Sequence, residues 1–230
     1  MRRFIMARLA VLVLAFAAGT CSAQNWVEGK DYFRITPPQP TNVAPGKVEV
    51  MEVFSFGCPA CNKFQPIMKQ LIASLPPNAQ VVYLHASFIP RENWPLLQRA
   101  FFTAQALGIE EKTHDAMFNA VWGTGELAAI DPVTHRIKSS IPTIEDAAKF
   151  YERAAGVKAA TFLATAKSFG VDAKMRMADA EIGAAQAMST PTIIVNGKWR
   201  LQSQTAGGID QLIQLVKYLV AQESAGMKPK

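Results

Sequence analysis

Cysteine is scarce in this sequence: there are three in 230 residues, Cys21, Cys58 and Cys61. A chain of that length with so few thiols is not a disulfide scaffold and must hold itself together with an apolar core. Histidine is equally rare, and His85, His114 and His135 stand apart, with no second histidine at a zinc-ligand spacing. Structural zinc takes about four ligands, so the sequence offers no metal site. Charged residues make up only 18% of the chain, and no run of lysine and arginine is interleaved with aromatics, which leaves nucleic-acid binding without specific support. The net charge of +6 includes Arg2, Arg3 and Arg8 near the N-terminus; without them the surplus falls to +3. What the chain has in quantity is hydrophobic residues, at 50%. That suffices for one large domain, or a domain carrying an insertion.

Long apolar runs are also lacking. The uncharged stretch Leu9–Ala18 falls short of the roughly 20 residues that span a bilayer, which argues against a transmembrane anchor. Preceded by three arginines and followed by the small residues Cys21, Ser22 and Ala23, it reads as an export signal (residues 1–23) cleaved after Ala23. Lipid attachment at Cys21 is the weaker alternative, because Thr20 suits it poorly. Cleavage removes Cys21 and leaves Cys58 and Cys61. An exported chain that keeps two thiols three positions apart keeps them for reactivity.

Residues 24–47 are polar and rich in proline (Pro37, Pro38, Pro40, Pro45), and read as a connecting arm ending in the turn Pro45–Gly46. The arm has no room for a dimerisation domain, so a monomer is expected. Val48–Phe54 is β-branched and aromatic and reads as a buried strand, with Glu52 the odd member of the set Val48, Val50, Glu52, Phe54. Past Cys61, Phe64, Ile67, Met68, Leu71, Ile72 and Leu75 recur at helical spacing, with a kink expected at Pro66. Pro76–Asn78 ends that helix and Gln80–His85 reads as the next strand. From Glu92 to Met188 the pattern is helical, with segments at Leu96–Leu107, Lys112–Trp122, Ile144–Ala155, Lys158–Ser168 and Ala173–Ala187. Strand character returns at Thr192–Val195, Asn196–Gly197 supplies a two-residue hairpin turn to Lys198–Leu201, and Ile209–Val220 is an amphipathic helix.

The sharpest signal is Phe54-Ser-Phe-Gly-Cys-Pro-Ala-Cys61, a CxxC where a strand gives way to a helix. At a helix N-terminus, unpaired N–H groups and the helix dipole favour an anion, so the Cys58 thiolate is stabilised. Pro59 suits the first helical turn, where its missing N–H is not needed. Cys61, one turn on, is placed to attack a mixed disulfide on Cys58. The competing readings are a zinc half-site, which lacks partner ligands, and a structural bond, which would stabilise little across so short a loop.

The redox turn and the late segment Thr190-Pro-Thr-Ile-Ile-Val-Asn-Gly-Lys198 resemble the DsbA family of periplasmic disulfide oxidases, and Ala106-Leu-Gly-Ile-Glu-Glu-Lys112 is similar to the family within the helical part. The resemblance covers nearly the whole mature chain. It implies an α/β thioredoxin fold with an inserted all-helical domain. The thioredoxin-like parts would be residues 48–90 and 189–224, the insertion 91–188 and the tail 225–230. It further implies a periplasmic enzyme that puts disulfides into exported proteins, with unfolded or reduced polypeptides as substrates, a DsbB-like membrane protein as reoxidant and no cofactor. An isomerase or reductase, or a thiol-carrying chaperone, are the alternatives.

Residue by residue, Cys58 matches the family's nucleophile, Cys61 its more buried resolving cysteine, Glu52 its buried acid, and Pro191 its cis-proline beside the CxxC. The desolvated Glu52 carboxyl would exchange a proton with Cys61; a strand-end Glu paired with a lysine is the plainer reading. Four departures stand out. Thr190 replaces the commonest valine, Ala60 replaces a histidine, and Gln65 and Tyr83 stand where a Glu and a Lys often flank the acid.

Overall fold

The computed structural model describes residues 25–131 and 133–227. The stretch that the sequence reads as an export signal, with Cys21, and the last residues of the tail lie outside the described residues. A five-stranded sheet in the order β1-β5-β4-β2-β3 forms the centre. Its strands are β1 (Phe33–Arg34), β2 (Val48–Phe54), β3 (Ala79–His85), β4 (Thr192–Val195) and β5 (Trp199–Leu201). Strands β2 and β3 run parallel, joined by helix α1 (Pro59–Ser74), while the other pairings are antiparallel. A parallel pair needs such a crossover, and the crossover sets α1 over one face of the sheet.

Strand β2 is buried at all seven positions because it is central and covered on both faces. One face carries Val48, Val50, Ile193 and Val195 against Phe64, Met68 and Leu71 of α1 and against Leu212, Val216 and Leu219 of α8 (Ile209–Gly226). The other carries Met51, Val53 and Ile194 against a helical layer that includes Leu97, Phe101, Met117 and Phe118. Each such side chain stabilises the fold by about 1.5–3 kcal/mol before conformational entropy is counted.

The helical insertion lies between β3 and β4 as α2 (Trp94–Ala106), α3 (Glu110–Trp122), α4 (Ile144–Ala155), α5 (Ala159–Ala166) and α6 (Phe169–Ala184). Helix α4 has the sharpest bounds: Thr143 and Asp146 form a capping box at its start, and Gly156, at φ 73°, closes it. Pro66 sits inside α1 without ending it. A 3-10 turn at Pro90–Glu92, a short helix α7 (Ser203–Ala206) and the extension of α8 beyond Val220 to Gly226 had no periodic signal long enough to read.

The arm needs correction. Residues 33 and 34 are not a connector but the edge strand β1, paired with Arg200 and Trp199 of β5. Tyr32 and Ile35 around it are buried, and the Arg34 guanidinium lies 4.2 Å over the Trp199 ring. Two residues are too short for alternation to register, so only the pairing reveals the strand. Farther along, the Asn42 N–H donates to Oε2 of the fully buried Glu49 at 2.7 Å, and the Gln39 N–H donates to the Gly197 carbonyl at 2.8 Å.

The hairpin between β4 and β5 turns on Asn196 and Gly197, both with positive φ at 53° and 64°, but Val195 pairs with Trp199, so Lys198 belongs to a three-residue connection rather than to the strand, one residue longer than the expected turn. A Cβ on Gly197 would strike the Gln39 carbonyl, whereas one on Gly156 meets nothing within 4 Å. Gly156→Ala should therefore cost roughly 1 kcal/mol, from left-handed strain alone, and Gly197→Ala roughly 2–3 kcal/mol, from strain plus collision. Urea denaturation of the two variants measures the difference; equal costs would mean that the arm does not press on the hairpin.

Candidate active site

Where β2 ends, the chain turns through Ser55–Gly57 and enters α1 with Cys58 as N-cap, at φ −86° and ψ 118°, and Pro59 in the first turn. The Cys61 N–H donates to Cys58 Sγ at 3.4 Å, and the Cys58 thiol donates to the Thr190 carbonyl at 3.5 Å. Both cysteines are free thiols, so the structure describes the dithiol form. The expected contrast in exposure is smaller than position alone implies. Cys61 is fully buried, but Cys58 is only 5% exposed, because the Thr190–Pro191 loop lies against its sulfur. Pro59 and Ala60 are the exposed members of the motif.

The two thiols differ in acidity for physical reasons. A hydrogen bond from the Cys61 thiol to the Cys58 sulfur is the largest influence on Cys58; burial opposes it, and Thr190 and the N–H groups of Cys61 and Ala60 reinforce it, lowering the pKa to about 6. Burial is the largest influence on Cys61, followed by its bond to Cys58 and the charges of Cys58 and Glu52, and together they push its pKa far up. One helical turn thus separates a sulfur that ionises readily from one that holds its proton.

Glu52 lies on the α1 side of β2, in register with Tyr83 of β3 and Ile193 of β4. It is fully buried, and among the described residues neither carboxyl oxygen has a hydrogen-bond partner and no cation pairs with it. The plainer reading, a strand-end glutamate paired with a lysine, is not what the structure contains. Burial first, and the Cys58 charge second, raise its pKa to about 8, so it carries its proton at neutral pH. Gln65 and Tyr83 line a groove between α1, β3 and α3 beside it. Among the described residues the Gln65 amide nitrogen is also buried without a partner.

The Thr190–Pro191 peptide is cis, both residues are half-buried, and the loop brings the Thr190 carbonyl to the Cys58 sulfur. A residue the sequence did not flag braces it: Gln202 Nε2 donates to Ser189 Oγ at 2.6 Å and to Thr192 Oγ1 at 2.7 Å, and Thr192 Oγ1 donates to the Ser189 carbonyl at 2.7 Å. A lone Gln between β5 and α7 carries no pattern that would have singled it out. Among the described residues no cluster of three or more His, Cys, Asp or Glu is placed to hold a metal, and no helix is long and apolar enough to cross a membrane.

What such a site can do is exchange its thiols with a disulfide: Cys58 has the acidity that a nucleophile and leaving group needs, and Cys61 is within one turn of it. On this sheet, with helices inserted between β3 and β4, that chemistry defines a thioredoxin-fold thiol:disulfide oxidoreductase. Comparison with known proteins narrows the class. A family model described as Thioredoxin matches residues 44–215. The thiol:disulfide interchange protein DsbA of Pseudomonas aeruginosa is 31% identical over 228 residues, covering 99% of this chain and 100% of that protein. The crystal structure of Pseudomonas aeruginosa DsbA superposes with a TM-score of 0.72 at 31% identity, over 90% of this chain and 99% of that one. The oxidoreductase DsbA from Xylella fastidiosa gives 0.74 at 28% identity, over 86% and 98%. The chain belongs to the DsbA family.

Two measurements follow from the acidities. Alkylation of the reduced protein should modify Cys58 first, with a rate that rises through a midpoint near pH 6 as its thiolate forms. A midpoint near the ordinary thiol value of about 8.5, or faster reaction at Cys61, would contradict the geometry.

Glu52 titrates at about pH 8 in the folded protein, against an ordinary value of 4.5. Its contribution to stability is therefore whole below pH 4.5 and declines as pH rises through 8, because the unfolded chain has already released the proton. Glu52→Gln abolishes that decline. Between about pH 4 and about pH 9, wild type should lose roughly 4–5 kcal/mol more than the variant, at about 1.4 kcal/mol per pKa unit. Parallel pH–stability profiles would mean that Glu52 ionises normally.

Proposed function

We propose that this chain is an exported disulfide oxidase in which Cys58 is the exchanging sulfur and Cys61 the resolving one. The observation that carries the reading is the position of Cys58 as N-cap of α1, its sulfur accepting from the N–H of Cys61, which is buried one turn further in. A stabilised Cys58 thiolate makes the dithiol form more stable and hence the disulfide a stronger oxidant. A thiolate of a reduced, unfolded substrate attacks Cys58 in the Cys58–Cys61 disulfide, and Cys61 leaves as a thiolate. The protonated Glu52 beside it gives up its proton to that sulfur, the stronger base of the two. The substrate's second thiolate then attacks its own sulfur in the mixed disulfide. Cys58 leaves as a thiolate, the substrate gains a disulfide, and two electrons rest on the enzyme. A membrane oxidant of the DsbB kind removes them.

Thr190 and Pro191 form the substrate-binding edge: the loop meets Cys58 Sγ, and its backbone is where an extended polypeptide pairs while joined to that sulfur. Pro59 and Ala60, exposed at the helix start, face the same partner. We place the helical domain at residues 91–188, between thioredoxin-like parts 48–90 and 189–224, a division supported by the position of α2 to α6 between β3 and β4. Residues 1–23 serve as a cleaved signal directing the chain to the periplasm.

The direction of exchange is tested by trapping cellular thiols with a mass-tagged alkylating agent. Most of the protein should be recovered as the Cys58–Cys61 disulfide, and Cys58→Ser should neither oxidise a reduced peptide nor be reduced by one. A predominantly reduced pool would overturn the oxidase reading in favour of a reductase or isomerase. Cys58→Ser protein that still protects unfolded chains as well as wild type would favour a chaperone.

A further inference from the structure

The redox turn is tied down one peptide group at a time. The Phe54 carbonyl accepts from the Ala86 N–H at 2.7 Å, and the Ser55 carbonyl from the Cys58 N–H at 3.0 Å. The Gly57 N–H donates to Ser55 Oγ at 3.1 Å. Phe56, between them, is held instead by two side chains from different parts of the molecule. Its N–H donates to Nε2 of His85 at 3.0 Å, and its carbonyl accepts from Nε1 of Trp122 at 2.8 Å.

His85 is the last residue of β3 and is fully buried. Because the Phe56 N–H donates to Nε2, that nitrogen is the acceptor, and Nδ1 carries the hydrogen that goes to the Ala86 carbonyl at 2.9 Å. One neutral tautomer satisfies both bonds. Burial keeps the imidazole neutral, with its pKa lowered to about 3. Trp122 is the last residue of α3, so its indole reaches from the helical insertion to the turn. Two neighbours tighten the same junction. Gln98 of α2 donates to the His85 carbonyl and to Asp179 Oδ1, each at 2.9 Å, and a Cβ on Gly57 would lie 2.6 Å from Trp94 Nε1. The turn therefore packs closely on the insertion just before Cys58.

We propose that His85 and Trp122 are positioning residues that clamp the Phe56 peptide from two sides, and that through Trp122 the helical insertion fixes how Gly57 and Cys58 enter the N-terminus of α1. The proposal rests on Cys58 being the exchanging thiol. One residue, Gly57, separates the clamped carbonyl from Cys58, whose sulfur accepts from the Cys61 N–H at 3.4 Å. Favourable interaction with a helix terminus falls off within one turn, so rotation of the Phe56–Gly57 peptide withdraws the sulfur from the groups that favour its anion. Neither residue touches a reacting atom, which distinguishes them from Cys58 and Cys61.

Trp122→Phe keeps a ring and removes the donor; Trp122→Gln removes the ring and keeps an N–H donor. The reduced forms of wild type and both variants are titrated by alkylation rate at Cys58, with thermal melting recorded alongside. Wild type is the reference for the functional reading itself: if its Cys58 is not the faster thiol, that reading fails before any variant is compared. If it is, Trp122→Phe should raise the Cys58 midpoint by roughly half a unit to one unit and slow oxidation of a reduced peptide, and Trp122→Gln should recover most of both. His85→Gln, which also offers an acceptor and a donor, should lie near wild type while His85→Leu shifts in the same direction as Trp122→Phe. An unchanged midpoint in Trp122→Phe overturns the proposal, whatever happens to the melting temperature. So does a shift that Trp122→Gln leaves unrepaired, since ring packing rather than the hydrogen bond would then be responsible.

Discussion

Everything distinctive about this site depends on Cys58 being the N-cap of α1. A side chain at that position accepts from the N–H groups the helix cannot use, and here the acceptor is sulfur rather than the usual oxygen. The Cys61 N–H and thiol both converge on it, so the anion is favoured at Cys58 and, by the same contact, disfavoured at Cys61. Asymmetry between two chemically identical groups is what the proposed division of roles, one thiol exchanging and the other resolving, requires. No cofactor is needed to create it, only a helix start and a difference in burial.

That asymmetry needs a dry floor, which is costly. Glu52 lies under the helix start on a strand closed to solvent on both faces, with no bond to either oxygen among the described residues. In such surroundings a carboxyl keeps its proton, because the charged form would give up hydration and gain no partner. The departures at Gln65 and Tyr83 matter here. With neutral side chains at those two positions, the acidity of Glu52 is set by burial and the nearby sulfur rather than by an ion pair. Its second acidic neighbour in the strand, Glu49, faces the opposite side and is instead used by the arm, through Asn42.

The helical insertion is more than a cover for the sheet. Its side chains form one core with the sheet face that carries Met51, Val53 and Ile194, and they reach the redox turn by Trp122, the end of β3 by Gln98, and Gly57 by Trp94. The elements around the two sulfurs therefore come from four stretches of chain: the end of β2, the end of β3, the helices between β3 and β4, and the loop before β4. Gln202 adds a fifth by bracing that loop from beyond β5.

Much of this was legible from sequence because the signals were local. Val48–Phe54, Thr192–Val195 and Ile144–Ala155 have the bounds that the sequence predicts, the first from β-branched and aromatic residues between turn signals, the second from an unbroken β-branched run and the third from its helical pattern. The CxxC at a strand–helix junction placed Cys58 and Pro59 correctly for the same reason: N-cap chemistry is a property of a few adjacent residues. Tertiary structure alone decided the rest. It paired Phe33 and Arg34 into the sheet, laid Thr190 over Cys58 so that the sulfur is nearly covered, left Glu52 without a cation among the described residues, and brought His85 and Trp122 to the Phe56 peptide across 29 and 66 residues. A cap or a turn is encoded by neighbours in sequence. Which buried polar group finds a partner depends on the packing of distant elements, and no local pattern records it.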